Sequence, residues 1–388
     1  SQKAINEWIW ASMGIMLSLA GAWSGMIDVL QAGIVIIIFL TPFLVEEDVG
    51  ESQKFSKRQL KKIALWCSVM LVSLYLILTL TILLESVDTI NFDAHELYGA
   101  PFILGFAAAM LVYTRRRYSA KSTLVVLFVT SLFSLLMAIF FSDTLGQDSS
   151  TAISQYLDRG FIAWISLPML LVLVAPLGFE VYSQFTKSGK TPFWQRIPVG
   201  AHLVHLGLVL LLIGHITTTV LVDRGDASHR ITLVKNELVI HDGYGFEFTD
   251  LVATEDNLEV GDGFVGVSIT VYEMDGMEKQ EIGVVEPGML RFDKTGTARS
   301  EVDVLTRWSG DMVFIFDGTQ AQGLMQQTSS NGLDSVNLVR VTIYDLPGSH
   351  LVWIGWSIMM LGMLGVTYSG FVKNQSKRST APILAEQE

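Results

Sequence analysis

The sequence predicts a polytopic α-helical membrane protein of about eight transmembrane helices with one β-rich domain outside the cytoplasm. Half of the 388 residues are hydrophobic and only 16% are charged, whereas a soluble domain has about a quarter of its residues charged. Long apolar runs alternate with short charged connectors, which is the pattern that bilayer-spanning helices impose. One segment, residues 223–349, lacks such runs and is strongly acidic.

Eight apolar stretches are predicted to cross the bilayer, for which a helix needs about 20 residues. They divide the chain into a helical bundle, an acidic domain, a final span and a polar tail whose composition predicts disorder. These four parts are residues 1–222, 223–349, 350–373 and 374–388. The spans are 5–23, 27–45, 62–84, 97–113, 122–141, 160–181, 198–222 and 351–372.

The basic residues predict the orientation, because cytoplasmic connectors of membrane proteins are enriched in Lys and Arg. One side of the predicted membrane has 16 basic residues, and the short connectors of the other side have one, Arg159. This predicts a plasma or inner membrane protein with both termini in the cytoplasm and residues 223–349 outside. The basic residues on the cytoplasmic side are Lys3, Lys54, Lys57, Arg58, Lys61, Lys62, Arg115, Arg116, Arg117, Lys121, Lys187, Lys190, Arg196, Lys373, Lys377 and Arg378.

The acidic segment has the pattern of β-strands. Residues 231–240 and 265–272 alternate apolar and polar side chains, which is the period of a half-buried sheet. Asp275-Gly276 between two apolar runs is a hairpin turn signal. These features predict a small antiparallel barrel or sandwich. The polar stretch 320–331 is predicted to be a mobile loop.

The charge and the motifs exclude several classes of function. The net charge of −12 is concentrated between Asp223 and Asp345, where there are 22 acidic and 9 basic residues. Nucleic acid is therefore not predicted as a partner, because phosphate contacts need Lys and Arg. The single cysteine, Cys67, lies in a predicted span, so a disulfide framework or Cys-based metal site within this chain is excluded. The sequence also lacks GxSxG, Walker and HExxH motifs.

Three histidines, His202, His205 and His215, lie in the predicted span 198–222. An ionisable side chain inside a bilayer is costly and by default has a partner or a function. Neutral imidazole is an axial ligand of haem iron, and His202 and His205 share a helix face. Their position makes either one a candidate haem ligand, although a hydrogen bond to a neighbouring helix or to a backbone carbonyl is the more common role for such a residue. The histidines predicted to be solvated are His95, His229, His241 and His350.

The run at 196–214, RIPVGAHLVHLGLVLLLIG, resembles the helix of CcmF-type cytochrome c haem lyases that carries an axial histidine of a membrane-embedded haem b. Stretches at 91–102, 286–313 and 347–365 resemble the same family in the same order. The resemblance assigns the axial ligand to His205. Gly207, which is expected to share a helix face with His205, would let a macrocycle approach that ligand. The tryptophan-rich haem-binding segment and second membrane histidine of full-length members have no counterpart, so the chain resembles the C-terminal portion of a split or shortened member.

The resemblance implies a subunit of a membrane haem lyase that is active only with a partner chain. That family attaches haem covalently to the CxxCH cysteines of apocytochrome c, and the membrane haem b keeps the incoming haem reduced. The implied partners are a tryptophan-rich haem-handling lyase subunit, a haem chaperone and apocytochrome c. The second axial ligand of the haem on His205 is expected from another chain.

Two other functions stay open from the residues. A respiratory b-type haem subunit would pass electrons without assembling a cytochrome. A permease-type subunit with an outer β domain would contain no haem.

Overall fold

The structure, a computed structural model, describes most of the chain after residue 91. The contacts divide the chain into the compact unit Val222–His350 and a helical unit formed by the residues on either side of it. The predicted spans 5–23 and 27–45 lie outside the described residues, as does most of 62–84, so the number of eight spans stays a prediction. The described residues are 71, 74, 75, 77–79, 92–115, 118–186, 197–254, 262–276, 278–292 and 297–379.

Five of the described helices are long and apolar enough to cross a membrane. They coincide with five of the predicted spans, and the fourth continues into a π-helical turn, Ile216–Val220. The last continues to Ser379, beyond the predicted start of the tail. In chain order the helices are α1 (Phe92–Thr114), α2 (Ala120–Phe140), α3 (Arg159–Thr186), α4 (Ile197–His215), the shorter α5 (Ala321–Asn331) and α6 (Ser349–Ser379).

Helix α3 supplies much of the core of the helical unit. Its Leu170, Leu173 and Leu177 are fully buried against Met110 and Leu111 of α1. By contrast, α2 exposes most of its large apolar side chains, which is expected of a helix that faces lipid. The core therefore lies where α1, α3 and α4 meet.

Helices α4 and α6 pack through glycines. Gly200, Gly207 and Gly214 follow one another at seven-residue intervals on α4, as Gly355 and Gly362 do on α6. A Cβ on Gly207 would lie 2.5 Å from the carbonyl oxygen of Gly355, and one on Gly200 would lie 2.6 Å from that of Gly362. Small residues let the backbones of membrane helices approach this closely. The two helices are therefore antiparallel and in direct backbone contact.

The unit Val222–His350 is a nearly closed antiparallel β-barrel. Its strands have the order β1-β9-β8-β7-β6-β4-β3-β2, and β5 also pairs with β4. A bridge between Lys235 and Phe248 joins the two ends of the sheet. The strands are β1 (Arg230–Val234), β2 (Leu238–His241), β3 (Tyr244–Thr254), β4 (Asp262–Asp275), β5 (Glu278–Val285), β6 (Gly288–Phe292), β7 (Thr297–Arg307), β8 (Gly310–Phe316) and β9 (Leu338–Pro347).

The barrel confirms the β-rich prediction and corrects one detail. Asp275-Gly276 does form the hairpin turn between β4 and β5, and Gly276 has a φ of 63°. The stretch 320–331 is not a loop, because α5 occupies it. Ala321 and Leu324 of α5 pack against the barrel core, and Ala, Leu, Met and Gln are good helix formers. These few apolar contacts decide the conformation of a segment whose composition is mostly polar.

Candidate functional site

His202 and His205, in the N-terminal half of α4, have different surroundings. The side chain of His202 is buried, and its Nε2 lies 3.9 Å from Oε2 of Glu180 on α3. His205 is half-buried, and its ring makes an edge-to-face contact with that of Tyr113 of α1, with the centroids 5.9 Å apart. The two imidazole rings are 6.5 Å apart. The structure thus brings the two predicted haem ligands together, with His202 the more buried of the two.

The expectation that Gly207 opens a space beside His205 is wrong. Residues two positions apart in an α-helix are separated by about 200° around its axis. Gly207 accordingly faces the backbone of α6, whereas His205 faces Tyr113. A planar ligand on His205 therefore cannot use the Gly207 surface.

A second polar cluster lies at the other end of α4. His215 Nε2 is hydrogen-bonded to the hydroxyl of Tyr75 at 2.9 Å, and its Nδ1 to Oγ1 of Thr219 at 3.0 Å. His95 of α1 is hydrogen-bonded through Nε2 to Oγ1 of Thr79 at 2.9 Å. The rings of His95 and His215 are 5.6 Å apart. We call these five residues the outer cluster.

The outer cluster corrects the prediction that His95 is solvated, because its side chain is buried. In the barrel, His229 is also buried, and its ring lies 5.0 Å from that of Tyr344. Neither contact could be predicted from the sequence, because His215 and Tyr344 lie far from these two histidines in the chain.

An ion-pair network adjoins the outer cluster. Arg159, at the start of α3, is 1% exposed. Its Nη1 lies 2.6 Å from Oε2 of Glu96, and its Nη2 lies 2.5 Å from Oδ1 of Asp93. Nη1 also donates to the carbonyl oxygen of Val220 at 3.3 Å. A buried charge needs such partners.

Sequence reasoning treated Arg159 only as the exception to the charge asymmetry. That exception could have identified Arg159 as unusual, since Lys and Arg are normally concentrated on the cytoplasmic side of a membrane protein. The structure gives its reason, which is that Arg159 forms ion pairs with two carboxylates of α1, the buried Glu96 and the half-exposed Asp93.

A small cavity joins the outer cluster to the ion-pair network. Its polar lining comes from Tyr75, His95, Glu96, Ser166 and His215, and its size is on the scale of a single water molecule. Imidazole, phenol, carboxylate and water can all exchange protons. The arrangement is therefore suited to holding or moving a proton, and it is too small for an organic ligand.

In the part of the chain that the structure describes, no three His, Cys, Asp or Glu side chains come together as a metal site. A haem needs no such group, because one imidazole fills one axial position. Comparison with known proteins identified no matching family, curated protein or solved structure. The resemblance to the haem lyases therefore stays a prediction.

Proposed function

We propose that this chain is a subunit of a membrane haem lyase complex and holds a haem b through His205. The observation that supports the proposal is the contrast between the two neighbouring histidines of α4. His202 is buried and lies 3.9 Å from Glu180, whereas His205, one turn later, is half-buried. Of the two imidazoles, that of His205 is the more accessible to a ligand from the lipid or from another chain.

The residues around His205 fit such a ligand. An aromatic ring, that of Tyr113, lies beside the imidazole, and aromatic rings pack well against flat apolar surfaces. His202, on the same face of α4, lies 3.9 Å from Glu180 of α3. A haem b bound here would supply one-electron redox chemistry, and its second axial ligand would come from a partner chain.

The partners follow from the same proposal. They are a tryptophan-rich haem-handling subunit, a haem chaperone and apocytochrome c. In this proposal eight spans cross the plasma or inner membrane, both termini are cytoplasmic and the barrel is outside. The acidic barrel would attract basic partners by long-range electrostatics, and salt would weaken that attraction.

The pyridine-haemochrome spectrum of the purified chain, alone and with copurifying subunits, tests the haem. We expect b-type haem in this assay and a low-spin absorption spectrum of the native protein, and His205→Ala should abolish both together with cytochrome c maturation. His202→Ala and His215→Ala, the matched controls on the same helix, should keep the haem. If only His202→Ala lost haem, the axial ligand would be His202, one turn before His205. Colourless wild-type protein would refute the haem proposal.

A respiratory b-type electron-transfer subunit is the second candidate, and the outer cluster favours it. Its proton-exchanging groups include His215, which is ten residues from His205 on the same helix, or about 15 Å along the axis. Proton-coupled electron transfer uses groups of this kind. Deletion of the gene separates the two functions, because only loss of a lyase subunit removes all c-type cytochromes.

A further inference from the structure

Trp308 is the most exposed large apolar side chain in the described part of the chain, at 96%. It lies in the turn between β7 and β8. An indole offers a large apolar surface together with one N–H donor, and leaving that surface in water is unfavourable. Its full exposure therefore points to a partner.

The turn that carries Trp308 is held firmly in place. The N–H of Gly348 donates to the carbonyl oxygen of Ser309 at 2.8 Å. The N–H of Asp311 donates to Oγ of Ser349 at 2.9 Å, and that hydroxyl donates back to Oδ2 of Asp311 at 2.8 Å. The turn is thus bonded to the residues with which α6 begins.

If α6 crosses a membrane, this connection sets the expected level of Trp308. The part of α6 that is long and apolar enough to span a bilayer starts at Ser349. Ser349 therefore lies near the interface between lipid and water, and so does the turn that is bonded to it. Tryptophan is enriched at this interface, because the indole can bury its apolar body while its N–H stays among the headgroups.

We infer that Trp308 anchors one corner of the barrel in the headgroup region of the outer leaflet. The partner is the lipid surface itself. The inference rests on the membrane location that is part of the proposed function, and it does not depend on haem.

Two neighbouring turns differ from the turn of Trp308. The β2–β3 turn lies at the same end of the barrel, since Arg307 beside Trp308 is hydrogen-bonded to Tyr244. That turn, Asp242-Gly243, and the neighbouring Asp275-Gly276 each have an exposed acidic residue and no apolar side chain. Of these three turns, only that of Trp308 offers an apolar side chain to a bilayer.

Site-directed spin labelling of the full chain in phosphatidylcholine nanodiscs tests this anchor. The label is attached to the new cysteine of a Cys67→Ser, Trp308→Cys variant. Because Trp308 is exposed, the fold should tolerate this substitution. Its accessibility is measured to oxygen, which concentrates in lipid, and to a water-soluble nickel chelate. The control is Asp334→Cys, at the opposite end of the barrel, whose native side chain is 97% exposed.

We expect the ratio of oxygen to nickel accessibility to be several-fold higher at position 308 than at position 334. Equal ratios would overturn the anchor, and so would protection from both reagents, which would indicate a protein partner. Met360→Cys, on α6, is the second control. If the label is exposed to lipid at position 360 but to water at position 308, the anchor is refuted and the membrane location of α6 is kept. If it is exposed to water at both positions, the membrane location of α6 is refuted.

Discussion

The two polar regions of the helical unit differ in how the chain surrounds them. Near the C-terminal end of α4, His215 and Tyr75 are hydrogen-bonded, His95 packs against His215, and the ion pairs of Arg159 adjoin them. Near the N-terminal end, His202 lies 3.9 Å from Glu180, and the neighbouring His205 is half-buried beside Tyr113. The difference indicates that polar contacts from several segments surround the first region, whereas the second has fewer of them among the described residues.

The largest effect is expected from breaking the outer network. Arg159→Met removes the guanidinium and leaves Glu96 as a buried charge, which should lower the free energy of unfolding by about 3–5 kcal/mol. Thermal unfolding in detergent measures it. Adding Glu96→Gln to the same variant should restore much of the loss, because the uncompensated charge is then removed. An unchanged melting temperature in Arg159→Met would show that the network is not structural.

A smaller effect tests the surface opposite His205. Gly207→Ala puts a methyl group 2.5 Å from backbone atoms of α6, and overpacking of this kind costs about 1–3 kcal/mol. The haem content per folded molecule should not change, since Gly207 faces away from His205. The control is Gly178→Ala on α3, where a Cβ meets nothing within 4 Å. If Gly207→Ala lost haem while its stability stayed unchanged, the Gly207 surface would be part of the haem site after all.

The smallest effect concerns a single hydrogen bond of the outer cluster. Tyr75→Phe removes the hydroxyl bonded to His215 and should cost about 1 kcal/mol. The spectrum of a haem on His205 should stay the same, because that residue lies in the other region. Tyr182→Phe on α3, where the side chain is 64% exposed, is the control and should be neutral. A changed haem spectrum in Tyr75→Phe would mean that the two regions are coupled.

The sequence predicted the parts of the fold that depend on local pattern. Hydropathy located the five described membrane-type helices, and alternation with the Asp275-Gly276 signal located the barrel and one of its turns. Both signals are carried by neighbouring residues, so no knowledge of the tertiary contacts was needed. The α5 helix was missed because its composition is polar, and its apolar contacts come from a core made by distant strands.

The sites were harder to predict for the same reason. His202 and His205 were found because both lie within one apolar run. The burial of His95 and Arg159 depends on which helices become neighbours, and their partners lie up to about 120 residues away in the chain. The prediction that Gly207 shares a face with His205 was wrong, and helical periodicity alone contradicts it.

The glycine contact between α4 and α6 has a consequence for how the protein is made. Roughly 130 residues, including the entire barrel, separate the end of α4 from the start of α6. At a synthesis rate of about 5–20 residues per second, α6 emerges on the order of 10 s after α4. During this interval the glycine face of α4 lacks the helix that covers it in the folded protein. The contact between the two rows of glycines is therefore made late, after all strands of the barrel have been synthesised.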